Sequence, residues 1–295
     1  MSTVPRLLIT GISGFLGGKL AALSTTGFDF HGTYFQHQVE LPGCITHRID
    51  LTGPELKPML QKLQPSVIIH TAACSSPALV TKNPAAARPL NVDVTRRLAL
   101  WCREKKCQLL FTSSDQVYDG GHGDWCETDA ALPVNPYGCQ KLEAEEIVTQ
   151  LLPRLGLVMR VPLLLGPPAA GGSSFSEWIL DRLHRQQTVP LYTDQIRSAI
   201  GGGTLAAAII RAVQRDIHGV FNVGGRQGVN RLEIGQTLAA LKAMSYSNLH
   251  AVEYSAEEAV DGTAPLDISM NSERFWQAVG DNRGTLLDEL TWEYR

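Results

Sequence analysis

Apolar runs and helical spacings take turns along the first half of the chain. Arg6 to Thr10 is a short apolar stretch, and Gly14 to Leu23 places its apolar residues at helical intervals. Phe28 to Phe35 and Ile45 to Leu51 read as a second and a third strand. Pro54 to Leu63 follows as a helix opened by its proline. Val67 to Thr71 is a fourth strand. Ala85 to Lys105 has helical composition, and Pro89 inside it puts the start of the regular helix near Leu90. Gln108 to Ser113, Tyr137 to Leu152 and Leu155 to Val161 complete the series as strand, helix and strand. Strands alternating with helices predict a parallel sheet covered on both faces. Val67-Ile68-Ile69 and Leu109-Leu110-Phe111 are apolar without interruption, as strands buried on both faces should be.

After Gly166 the texture changes. Pro167-Pro168-Ala169-Ala170-Gly171-Gly172 is a turn-rich link. Shorter pieces follow: a helix near Phe175 to Arg185, a strand near Val189 to Tyr192 and a helix from Thr204 to Gln214. A strand at Val220 to Val223 and a helix from Arg231 to Met244 come next. The expected fold is α/β: a doubly wound parallel sheet over residues 1–166 and a smaller lobe over 167–295. Some later segments are expected to return to the sheet.

Composition narrows the function classes. The chain has 295 residues, enough to bury a sizeable core, with 44% hydrophobic and 19% charged residues. Net charge is −3, from 26 basic and 29 acidic residues with no long run of either sign. A nucleic-acid or acidic-membrane partner is therefore not expected. No apolar run approaches the roughly 20 residues that span a bilayer. Met-Ser-Thr-Val-Pro-Arg lacks the order of a signal peptide, so a cytoplasmic location is expected. Cys44, Cys74, Cys102, Cys107, Cys126 and Cys139 show no metal-site spacing and read as reduced thiols at buried or half-buried positions. No metal is expected. His70, ending the run Val67-Ile68-Ile69, reads as a satisfied core residue.

Chemistry enters with Gly11-x-x-Gly14-x-x-Gly17, which follows a strand and opens a helix. In a dinucleotide fold the first glycine makes the tight turn. The second admits backbone to the pyrophosphate, and the third lets helix pack on strand. Ser13, Phe15 and Leu16 fill the same loop. An acid for the adenosine ribose should follow about 20 residues later. The sequence there, Gly32-Thr33-Tyr34-Phe35-Gln36-His37-Gln38, has none before Glu40. That absence favours NADP(H) over NAD(H), which stays the alternative. No arginine follows the second strand, so His37 and the hydroxyls of Thr33 and Tyr34 are left to meet a 2′-phosphate.

Tyr137-Gly138-Cys139-Gln140-Lys141 puts a phenol and an ammonium on one helix face. The cation is expected to lower the tyrosine pKa and suit it to proton transfer with an alcohol oxygen. Upstream, the buried strand ending in Thr112-Ser113-Ser114-Asp115 brings hydroxyl groups to where ligands collect beyond parallel strands.

These residues together resemble the extended short-chain dehydrogenase/reductase superfamily. The branch is the one holding dTDP-4-dehydrorhamnose reductases and the methionine adenosyltransferase regulatory β subunit. The resemblance is carried by Thr10 to Gly17, His70 to Ala73, Asn91, Thr112 to Gly120, Pro133-x-Asn135-x-Tyr137-Gly138-x-x-Lys141, Arg160 to Gly166, Asp194-Gln195 and Pro265 to Asn271. It implies a dinucleotide-binding Rossmann domain in the first 166 residues and a mainly substrate-binding lobe after them. It also implies a triad. Tyr137 donates a proton to a substrate carbonyl, Lys141 tunes it and meets the nicotinamide ribose, and Ser114 orients the carbonyl. Asp50 and Leu51 would meet adenine, Thr71, Ala72 and Ala73 would line the cofactor with Asn91, and Pro162 would lie near the carboxamide. Ser114, Asp115 and Arg197 are candidate substrate contacts.

The chain also departs from that branch. Arg160-Val161-Pro162-Leu163 lacks the tryptophan that rhamnose-forming reductases carry there, and Ser198-Ala199-Ile200 replaces a proline-threonine. Three readings follow from the resemblance. The first is an NADP(H)-dependent keto reductase acting on a nucleotide-linked sugar. The second is a non-catalytic NADP-binding subunit that regulates a partner enzyme, for which the apolar tail Leu286 to Arg295 is a docking candidate. The third is a sugar-nucleotide epimerase or dehydratase. A homodimer is compatible with all three.

Overall fold

The computed structural model describes residues 4–24, 27–169, 173–255, 264–281 and 284–295. The chain builds one seven-stranded sheet from β1 (Arg6–Thr10), β2 (Asp29–Tyr34), β3 (Cys44–Arg48), β4 (Val67–His70), β5 (Gln108–Ser114), β6 (Gly156–Val161) and the strand Gly219–Asn222. From one edge the order is Gly219–Asn222, β6, β5, β4, β1, β2, β3. Every neighbouring pair is parallel. The expected α/β doubly wound fold is thus observed. Chain direction across the sheet reverses between β1 and β4, where the strand ends leave a crevice for a ligand.

Two apolar layers clamp the sheet. Leu7, Ile9 and Ile69 face helices Phe15–Ala21 and Gly202–Gln214 on one side. Leu8, Ile68, Leu109 and Phe111 face helices Leu56–Leu63, Val94–Lys105 and Pro136–Leu151 on the other. The second half of the chain therefore contributes to both units. Its strand Gly219–Asn222 extends the sheet and its helix Gly202–Gln214 covers it. A separate core around Ile179, Leu191, Ile234 and Leu290 forms the smaller lobe. The link Pro167 to Gly172 lies partly outside the described residues.

The helix expected from Ala85 is broken up. Short α-helices run Pro77–Lys82 and Pro84–Arg88, a π-helical turn spans Pro89–Asp93, and α-helix resumes at Val94. Proline has no N–H to give and crowds the preceding turn, and a widened turn takes up that misfit. The long α-helix thus resumes four residues later than Leu90, after a short α-helical stretch that precedes the proline.

The tail is part of the lobe. Helix Leu286–Glu293 opens on a capping box between Thr285 and Asp288 and buries Leu290, leaving Leu287 and Trp292 exposed. Lys19, on the first helix, reaches Glu293 at 2.6 Å. Cys102 and Cys107 are buried, but Cys139 is exposed, on the solvent side of helix Pro136–Leu151, contrary to the expectation for all six. Among the described residues no helix is long and apolar enough to cross a membrane.

Candidate active site

The crevice holds a cavity of about 590 Å³ with the glycine loop at its centre. Gly11 has φ +75°, and a Cβ there would come within 2.8 Å of the Ala72 backbone. A Cβ on Gly17 would strike the Gly11 carbonyl oxygen, so this glycine lets the helix sit on the loop. Gly14 caps the helix without a side chain, and the first turn carries no acid, which leaves its N–H groups open to an anion. Ser13, Phe15 and Leu16 line the same stretch. At one end stand Thr33 to His37, Asp50 and Leu51; Thr71, Ala72 and Ala73 form a wall; Tyr137 and Lys141 close the other end. A cradle open to backbone approach, with no cluster of three metal-type ligands among the described residues, fits a dinucleotide.

Two predicted residues lie elsewhere. Asn91 does not line this cavity. Its side chain accepts from Cys74 N at 2.8 Å and donates to Gln140 Oε1 at 2.9 Å, which pins the loop after β4. Pro162 lines a neighbouring cavity instead. His70 is buried, with Nδ1 2.6 Å from Thr10 Oγ1. Its Nε2 has no partner among the described residues, so the ring is only half satisfied. Burial, reinforced by Lys141, holds its pKa down to about 3 and keeps it neutral.

Tyr137 and Lys141 are positioned by the start of their helix. Asn135 caps it by accepting from Gly138 N at 2.9 Å, and Pro136 occupies the first turn. A Cβ on Gly138 would strike the Gln116 carbonyl, so the helix start rests directly on the turn after β5. Lys141 Nζ donates to Thr112 O at 2.8 Å and lies 5.8 Å from the centre of the Tyr137 ring. Ser114 lines the lobe-side cavity together with Tyr137, and its Oγ donates to Asp115 Oδ1 at 3.0 Å. Ser113 turns away, donating to Glu145 at 2.5 Å.

One electrostatic expectation is corrected. Lys141 does not lower the Tyr137 pKa here. Burial raises it, Asp115 adds to the rise, and only the Ser114 hydrogen bond opposes it. Tyr137 therefore holds its proton firmly. Lys141 is itself buried, which pulls its pKa down to about 8 against a smaller opposing effect of Glu145.

A second cavity, of about 720 Å³, opens between sheet and lobe. Phe15, Ser75, Ser113, Tyr137, Val161 and Leu164 belong to both cavities, so the two meet at the phenol. Ser114, Asp115, Arg197 and Arg231 line the second one. Arg197 is held by the carbonyls of Ile196, Leu266 and Pro265 at 2.6–2.8 Å. Its Nε faces Asp115 Oδ2 at 3.8 Å. That oxygen has no hydrogen-bond partner among the described residues, and burial raises the Asp115 pKa to about 6. Burial lowers both guanidinium groups from their usual range.

The sequence matches the RmlD substrate binding domain family over residues 5–285. The chain belongs to that family, within the extended short-chain dehydrogenase/reductase superfamily. It is 29% identical to the dTDP-4-keto-6-deoxy-D-glucose reductase of Streptomyces niveus, over 74% of this chain and 72% of that one. It is 27% identical to methionine adenosyltransferase 2 subunit beta of Pongo abelii, over 84% and 75%. A dTDP-4-dehydrorhamnose reductase from Bacillus anthracis, solved in complex with NADP, shares the fold with a TM-score of 0.86 at 19% identity, over 99% of each chain.

Three residues in or behind this RmlD-family site have partners that a reading of the sequence does not show. Arg231 follows the Asn230 cap of its helix and reaches Gln195 Oε1 at 2.8 Å from a distant segment. Glu145 shares the helix face of Lys141, a spacing that marks it only in hindsight. Arg160, at the end of β6, binds Glu145 at 2.8 Å and Tyr118 Oη at 2.8 Å.

Proposed function

We propose that the protein is an NADP(H)-dependent reductase of a keto group on a nucleotide-linked sugar. One observation carries the proposal: the glycine-cradle cavity and the lobe cavity share a wall at Tyr137. A substrate in the second cavity would present its carbonyl oxygen to Tyr137 Oη and Ser114 Oγ. Tyr137, a phenol that keeps its proton at neutral pH and whose pKa burial raises further, gives the proton. A nicotinamide bound in the first cavity supplies the hydride. The glycine cradle and the lack of an acid in Thr33 to Gln38 support a dinucleotide with a 2′-phosphate, and the NADP complex of a protein of the same fold agrees with it.

Arg197 and Arg231 suit the diphosphate of a sugar nucleotide. A buried guanidinium, Arg197, and a half-buried one, Arg231, stand near one carboxylate, Asp115, leaving positive charge for an anion. Arg231→Ala is expected to raise KM for the sugar nucleotide by about tenfold while the NADPH Kd stays put. Steady-state kinetics beside a binding titration checks this.

Lys141 supplies a pH prediction. Its folded pKa, about 8, lies below the ordinary 10.5, so the unfolded chain binds more protons between those values. The stability contribution of this group therefore rises with pH across that window, and its burden is full below pH 8. Lys141→Met is expected to leave the fold at least as stable at pH 7 while weakening NADPH binding. In the unchanged protein, kcat/KM for NADPH should fall as pH rises through about 8. Thermal melts and a pH profile test both halves.

The function itself is tested by mixing purified protein with NADPH and a panel of nucleotide-linked 4-keto sugars. Consumption of the reduced nicotinamide with at least one sugar is expected. Tight NADPH binding without turnover on any sugar, together with a co-purifying partner enzyme, would align the chain with the regulatory relatives instead.

A further inference from the structure

We propose that Arg48 and Lys62, which line a concavity opening off the adenosine end of the cofactor cavity, bind the 2′-phosphate of NADP(H). The inference rests on the reading that the glycine-cradle cavity takes a dinucleotide. It answers a gap left by the sequence, which has no arginine after β2 where one would clasp that phosphate.

Arg48 is the last residue of β3 and sits directly across from Tyr34 at the end of β2. Tyr34 lines the cofactor cavity. The concavity beside it contains Arg48, Lys62 and His47, and it shares Phe35, Ile49 and Asp50 with the cofactor cavity. The sheet thus delivers from β3 the cation that β2 lacks. Among the described residues, no hydrogen bond or ion pair occupies Arg48, and no carboxylate pairs with Lys62. Among the described residues, Arg48 is distinguished by lining a concavity that shares residues with the cofactor cavity.

Two acids share the region. Asp50 is exposed and lines both cavities, and its Oδ1 is occupied, accepting from Thr52 N at 2.9 Å and Thr52 Oγ1 at 2.7 Å. Glu55 lines the concavity opposite the cations. It is the group a 2′-phosphate would have to displace from the local charge balance. A guanidinium and an ammonium on a doubly charged phosphate form charge-assisted hydrogen bonds, whereas the bare ribose hydroxyl of NADH gains nothing comparable.

The test compares NADPH and NADH binding by calorimetry with the intact protein, at one fixed ionic strength. Arg48→Ala should weaken NADPH by about tenfold and leave NADH unchanged. Lys62→Ala should act in the same direction, and Glu55→Gln should tighten NADPH alone. As a second readout, 2′,5′-ADP should bind the unchanged protein better than 5′-AMP, and Arg48→Ala should erase that difference. Equal loss of NADPH and NADH in Arg48→Ala, or no change in their ratio, overturns the proposal. So does an unchanged protein that prefers NADH. If the unchanged protein binds neither dinucleotide, the cofactor reading falls first and takes this inference with it.

Discussion

Tyr137→Phe is expected to lower kcat by about two to four orders of magnitude while NADPH binds nearly as before. The substitution removes one oxygen from a ring that is otherwise held in place. The ring sits at the junction of both cavities, and its helix is fixed by the Asn135 cap and by the close approach of Gly138 to Gln116. None of those contacts uses the hydroxyl. The hydroxyl is the group that can hand a proton to a carbonyl oxygen, since a phenol is protonated at neutral pH and burial only raises its pKa further. Loss of kcat with an unchanged NADPH Kd separates a proton donor from a binding contact. Equal loss of NADPH affinity would instead make Tyr137 a wall of the cofactor site.

Glu145→Ala should destabilise the fold by about 3–5 kcal/mol, because it strands a buried charge. The carboxylate takes Arg160 at both oxygens and the Ser113 hydroxyl. Arg160 in turn donates to Tyr118 Oη, which reaches Asn222 Oδ1 at 2.9 Å. One carboxylate thus ties helix Pro136–Leu151 to β5, β6 and the strand Gly219–Asn222. Thermal denaturation should show a drop in Tm of order ten degrees. The milder Glu145→Gln, which keeps an acceptor for Ser113, should lose less. A Tm unchanged in Glu145→Ala would show that the network carries little of the stability.

Local features were legible in the sequence, and features built by long-range pairing were not. The alternation of strands and helices, the glycine loop and the Tyr137–Lys141 spacing are all written within short windows. Burial is not written there. The direction of the Tyr137 shift is not legible there, because a phenol beside an ammonium in sequence says nothing of how dry the site is. The π-helical turn at Pro89 and the later start of regular helix at Val94 came from how the chain absorbs a proline, which composition alone does not tell. Arg231 and Arg48 are hidden in the sequence for a different reason. Each looks like an ordinary surface cation until the lobe, or the β2–β3 register, sets it beside a cavity. Asn91 was recognised as part of the site, yet the structure has it fastening the Cys74 loop from behind.

The central claim is that the two cavities meet so that hydride and proton reach one carbonyl carbon and oxygen. The most direct measurement uses NADPH deuterated at the transferable position of its nicotinamide and a nucleotide-linked 4-keto sugar that the protein consumes. Deuterium should appear at C4 of the product sugar with the unchanged protein, and Tyr137→Phe should form that product far more slowly. NADPH that binds tightly yet passes no label to any such sugar would contradict the account.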